Sequence, residues 1–171
     1  MSQDDSPHLD LVPMAVTGLM LDPSSNVPIV ILRDLDRTLF LPIWIGAAEA
    51  QAIALRMEGV AAPRPLTHDL LLQMCERLGG VVEKIVISDL QEGTFFAEIH
   101  LAPDETRKVL DARPSDAIAL ALRAEAPIFV RRSVLDQAQV LPTALDPADD
   151  AERIRRVLED LDPNDPDRYK M

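Results

Sequence analysis

Asp111-Ala112-Arg113-Pro114-Ser115-Asp116-Ala117-Ile118-Ala119-Leu120-Ala121-Leu122-Arg123 sets charged groups at the mouth of a helix whose body is almost wholly apolar. Pro114 suits the first helical position, where a missing N–H costs nothing and the fixed φ is already helical. Ser115 and Asp116 then fall in the first turn, where unpaired N–H groups and the positive end of the dipole favour oxygen and negative charge. Residues 117–122 offer no polar side chain on any face, which predicts a helix buried on more than one side. A buried helix with Asp111, Arg113 and Asp116 at its entrance is a place to build a site.

Arg64-Pro65-Leu66-Thr67-His68-Asp69 echoes that stretch. Arg-Pro again precedes a hydroxyl residue and an Asp, and a helix from His68 to about Leu78 follows, with Thr67 as its expected N-cap. Two such starts could bring Arg64, His68, Asp69, Asp111, Arg113 and Asp116 around one cleft. Equally, the acids could only complement helix dipoles, with the arginines paired to them.

Outward from these two corners the chain alternates strands and helices. Leu9–Leu21 reads as a strand, and Pro13 and Gly18 within it suggest a sheet edge or a bulge. Ile29–Leu32 and Thr38–Ile45 read as a hairpin, the second strand apolar on both faces: Leu39, Leu41, Ile43 and Ile45 on one, Phe40, Pro42 and Trp44 on the other. Gly46–Glu58 is an alanine-rich helix with Glu49 in its first turn and Gly59 as its stop. Val81–Leu101 is a second hairpin turning at Gln91-Glu92-Gly93, Arg107–Leu110 is a short strand, and Ile128–Val130 is another. Pro147–Leu161 reads as an amphipathic helix carrying Ile154, Val157, Leu158 and Leu161. The expected fold is α+β: a mixed, mainly antiparallel sheet with several helices packed on it, plus that C-terminal amphipathic helix. Residues 1–8 form a disordered terminus in this reading, 9–140 one domain, and 141–171 an acidic helical tail.

Composition narrows the function. The chain of 171 residues carries 17 basic and 29 acidic side chains, a formal charge of −12, which opposes long-range attraction of a polyanion. Much of the acid lies between 146 and 167, so the middle is nearer balance. One cysteine, Cys75, allows no internal disulfide and points to a reducing cytoplasm; its neighbours Leu71, Leu72, Met74 and Leu78 mark it as core. No apolar run is long enough for a membrane span, and the first residues lack a signal-peptide pattern.

One Cys and three His give no zinc spacing, and neither a phosphate loop nor a nucleophile elbow is present. What remains is carboxylate plus guanidinium. Asp69, Asp111 and Asp116, with Glu49 assisting, could hold Mg²⁺ or Mn²⁺ through oxygen and water. Arg64 and Arg113 would grip a phosphate through their planar forks, with Thr67 and Ser115 beside them. A helix N-terminus favours neutral imidazole, the form in which His68 acts as base or ligand. The same residues make equal sense as a salt-bridge network that fixes two helix starts.

Three strings together, Leu41-Pro42-Ile43-Trp44-Ile45-Gly46 followed by Glu49-Ala50, Pro63-Arg64-Pro65-Leu66-Thr67-His68-Asp69-Leu70, and Asp111-Ala112-Arg113-Pro114-Ser115-Asp116-Ala117-Ile118-Ala119-Leu120, resemble the bifunctional nuclease family over roughly residues 10 to 140. The resemblance implies an α+β domain, oligomeric assembly, and degradation of both DNA and RNA with a divalent metal. From the residue chemistry above, rather than from the resemblance, His68, Asp69, Arg113 and Asp116 are the catalytic candidates. The competing expectation is a non-enzymatic module that uses the same cleft to bind an anion or a protein. Strand 38–45 and helix 114–123, apolar on both sides, predict a homo-oligomer, a dimer or a trimer.

Overall fold

Alternation along the two strands of the first hairpin splits their apolar residues between both faces of one sheet, and the computed structural model shows why both faces are needed. It describes residues 10–36, 38–102 and 108–138, with residues 141–142 as a strand. Strands β1 (Leu11–Leu21), β2 (Pro28–Asp34), β3 (Leu39–Trp44), β4 (Val81–Gln91), β5 (Thr94–Ala102), β6 (Lys108–Ala112), β7 (Ile128–Arg131) and β8 (Leu141–Pro142) form one sheet, in the order β6-β5-β4-β7-β1-β2-β3-β8. Every pairing is antiparallel except β4 with β7. Helices α1 (Ala47–Met57), α2 (Thr67–Arg77), α3 (Pro114–Ala124) and α4 (Arg132–Gln137) complete an α+β fold. The helix read from the C-terminal pattern lies outside the described residues.

The core lies between sheet and helices. Val30, Leu32, Leu41 and Ile43 point into it and meet Ile85, Ile87, Ala97, Ile118 and Val130, all nearly inaccessible to solvent. Their alternate neighbours Ile29, Ile31, Phe40 and Trp44 form a second buried cluster with Met20. Trp44 Nε1 donates to Asp22 Oδ2 at 2.9 Å, and Asp22 also accepts from the backbone N–H and hydroxyl of Ser24. The two-faced apolarity of β3 and α3 is therefore satisfied within one chain, so it no longer calls for a subunit contact. Apolar side chains left at the surface include Leu70, Leu71 and Met74 of α2, Val109 and Leu110 of β6, and Leu21, Leu35 and Leu78 elsewhere.

Two features of β1 correct the expectation of an edge. It lies inside the sheet, between β7 and β2, and the irregularity is a bulge between Val16 and Gly18. Pro13 is tolerated because β2 pairs with β1 only from Met14 onward, leaving Pro13 one neighbour, Phe129 of β7. The β4–β5 turn uses Glu92 and Gly93, both at positive φ (48° and 75°), the combination that matches the twist of a two-residue hairpin.

α3 lies over β4 and β5 and is flanked by α1 and α2. Pro114, Ser115 and all of Ala117–Ala121 are buried, as its apolar body requires. The N-termini of α1, α2 and α3 thus bring Glu49, His68 and Asp116 to one cavity.

Candidate active site

The two Arg-Pro corners meet. His68 Nε2 lies 2.9 Å from Asp116 Oδ1, and Arg113 Nε donates to the other oxygen, Oδ2, at 2.7 Å. Arg113 Nη2 donates to Glu49 Oε1 at 2.6 Å. Glu49, Thr67, His68, Arg113 and Asp116 line a cavity of about 650 Å³, with Leu55 and Leu66 among its apolar walls. Each helix contributes through its first turn, where acids are favoured. Gly46 precedes α1 for a steric reason: a Cβ there would collide with the Glu49 carboxylate, which folds back over it.

Two turns further along α3, α2 and α3 make a second contact. His68 and Asp69 are successive on α2, and Asp116 and Arg123 lie two turns apart on α3, so the pair Asp69–Arg123 lines an adjoining cavity while His68–Asp116 lines the first. Arg123 Nε donates to Asp69 Oδ1 at 2.5 Å, and its Nη atoms donate to the carbonyls of Ala119 and Ala52. Its side chain is only 6% exposed. Asp69 Oδ2 accepts the Leu66 N–H at 2.9 Å. This contact replaces the expected Thr67 cap: Leu66 is the N-cap, Thr67 opens the helix, and Asp69 reaches back. Arg123 had no signal in the sequence beyond being a basic residue in a last turn.

Burial pushes the Asp116 carboxyl up, but hydrogen bonds from Arg113 and His68 outweigh it and hold the group below the ordinary carboxylate range. Asp69 is likewise lowered, against burial, by the Leu66 N–H and Arg123. Hydrogen bonds to Asp116 and Glu49 raise the already high pKa of Arg113 further. Asp116 is therefore an ionised acceptor, and a neutral imidazole that donates to it through His68 Nε2 carries its lone pair on Nδ1. Arg113 is half exposed and keeps its Nη1 donors free of hydrogen bonds to the described residues.

Three sequence candidates lie elsewhere. Asp111 is not at the mouth of α3 but within β6, opposite Glu98 of β5. Ala97 and Ile99 face the helices, so Glu98 and Asp111 face the other side of the sheet, beside Asp89 and Arg131. Ser115 is fully buried, and its Oγ has no hydrogen-bond partner among the described residues; it follows Pro114 on the side of α3 turned inward. Arg64 is exposed and lines the adjoining cavity.

A divalent cation takes several oxygen ligands on one centre. Among the described residues no three His, Cys, Asp or Glu side chains converge to hold one. Glu49 and Asp116 face Arg113, Asp69 faces Arg123, and Asp111 is across the sheet. This donor set does not form a metal cage, and the chemistry below uses none.

The model of the bifunctional nuclease domain matches residues 30–143, a span that contains both Arg-Pro corners and all three helices of the site. The chain belongs to the bifunctional nuclease family. Relatives include an uncharacterized protein of Mycobacterium tuberculosis strain H37Rv, 41% identical over 88% of this chain and 94% of its own length. Bifunctional nuclease 2 of Oryza sativa subsp. japonica is 30% identical over 76% of this chain and 41% of its own length, and bifunctional nuclease 1 of the same plant is 28% identical over 66% and 35%. The chain thus matches less than half of the length of each plant protein. Among the described residues no helix is long and apolar enough to cross a membrane.

Proposed function

We propose that this chain hydrolyses phosphodiester bonds of DNA and RNA in the cavity shared by α1, α2 and α3. The observation that carries the reading is Asp116 holding an imidazole on one oxygen and a guanidinium on the other, at a solvent-open cavity wall. Asp116 fixes the tautomer and orientation of His68, whose Nδ1 then accepts a proton from the attacking water or, in RNA, a 2′-hydroxyl. The free Nη1 edge of Arg113 binds the non-bridging phosphate oxygens and offsets the charge that develops on them. As the phosphorus–oxygen ester bond to the leaving group breaks, the imidazolium can return its proton to the departing oxygen. Glu49 holds the far side of the Arg113 fork in place. The family supports a nucleic-acid substrate; the residue roles rest on this geometry.

The net charge of −12 and the double pairing of Arg113 favour a second reading, a binding module whose network holds the helix starts and captures an anion without cleaving it. One comparison separates the two. Wild type and Asp116→Ala, purified in parallel, are assayed on labelled single-stranded DNA and RNA, with and without Mg²⁺ or Mn²⁺. Loss of cleavage in a variant that keeps its circular dichroism supports the nuclease, whereas equal cleavage assigns the activity to a contaminant and leaves the binding module.

A further inference from the structure

Arg64 is the cation that the network leaves over. It lies in the loop between α1 and α2, exposed, and no described residue holds it by an ion pair or hydrogen bond. It lines a cavity of about 490 Å³ that also receives Arg56 and Arg123. That cavity and the His68 cavity share Leu55, Ala62, Pro65 and Leu66, so the two adjoin across a common wall. Asp69 and Glu76 are the acids on its wall, against three arginines, a local balance of +1 in a chain of −12. Arg123 is engaged by Asp69 and two carbonyls, and Arg56 by Glu125 and the Leu122 carbonyl. Of the three, Arg64 alone has its whole fork free of hydrogen bonds to the described residues.

We propose that the Arg64 cavity is a second phosphate subsite, which holds the phosphate adjoining the scissile one in a single-stranded nucleic acid. It rests on the nuclease reading above. Each cavity has the volume of a small-ligand pocket, enough for one nucleotide, and a flexible strand can seat successive nucleotides in the two. A duplex would have to unpair to do so. Leu55, Pro65 and Leu66 between the cavities give a base an apolar surface without donors that read its edge, so the subsite selects backbone rather than sequence.

The test is equilibrium binding of cleavage-resistant phosphorothioate oligothymidylates, a dinucleotide and a tetranucleotide, followed by fluorescence anisotropy over a range of salt. Wild type should favour the tetranucleotide. Arg64→Ala should remove most of that preference, weaken tetranucleotide binding roughly five- to tenfold, and reduce the log–log salt slope by about 0.7, the value for one phosphate on a single strand. Arg64→Lys, which keeps the charge, should retain the slope. An unchanged length preference and slope in Arg64→Ala overturns the subsite while leaving the nuclease reading intact. A wild type that binds neither oligonucleotide overturns both. Equal, Arg64-dependent binding of a duplex of the same length overturns the single-strand assignment.

Discussion

His68 Nε2 and Asp116 Oδ1 stand 2.9 Å apart although 48 residues separate them in the chain. Neither helix start could position the imidazole alone. α2 supplies the ring, α3 supplies the acceptor, and Arg113, at the N-cap of α3, ties that acceptor to Glu49 of α1. The site is therefore a property of three helix N-termini held on one sheet.

Arg113 makes two directed bonds to two different carboxylates, a geometry that an ammonium group does not reproduce. Arg113→Lys should fold with wild-type thermal stability within about 1 kcal/mol, because the group is half exposed. Its kcat/KM should fall by roughly 10- to 100-fold, measured on a single-stranded oligonucleotide.

Gly46 offers a different perturbation. A methyl group there would displace the carboxylate end of Glu49, which is flexible, rather than any backbone. Gly46→Ala is expected to keep its melting temperature within a few degrees while it loosens Arg113, seen as a higher KM. A large fall in stability with an unchanged KM would show that the glycine serves the backbone instead.

Much of this was legible in the sequence. Pro114 and Asp116 marked the start of α3 and Asp69 that of α2, and the apolar body of α3 required burial, but that the two corners meet depends on tertiary packing, which helix-capping rules leave open. Asp111 was misplaced because the sequence put the end of β6 at Leu110, whereas pairing continues to Ala112; a side chain inside a strand is assigned to a face by its register, here opposite Glu98. Arg123 was missed because its partner, Asp69, is 54 residues away, and nothing local distinguishes it from an ordinary last-turn arginine. Ser115 illustrates the same limit, since its inward orientation depends on how α3 rolls on the sheet.

The Asp69–Arg123 pair predicts a stability effect. Asp69→Ala would leave a nearly buried guanidinium without its carboxylate, and would also remove the acceptor of the Leu66 N–H. We expect a loss of about 2 kcal/mol, less than for a fully buried pair because Asp69 is one-third exposed. Urea unfolding measures it; a change below about 0.5 kcal/mol would place the pair outside the framework of the fold.

Asp22 sets a pH dependence. Burial pushes its carboxyl up, yet hydrogen bonds from Trp44, Ser24 and Ser25 win and hold its pKa far below the usual range. A group lowered in the folded state contributes stability above its unfolded pKa, about 3.9, and loses it as pH falls through the folded value. Wild type should therefore lose stability below about pH 4, and Asp22→Asn, less stable at pH 7, should show a flatter acid limb in thermal melts.

The central claim is that His68 moves the proton and Asp116 acts through it. Single-turnover cleavage of a labelled single strand by wild type, His68→Ala, Asp116→Ala and the double variant tests this most directly. The account predicts that His68→Ala is at least about 100-fold slower and that Asp116→Ala costs much less in the His68→Ala background than alone, leaving only its effect through Arg113. Folded His68→Ala that cleaves at the wild-type rate, or losses that simply multiply, would contradict it.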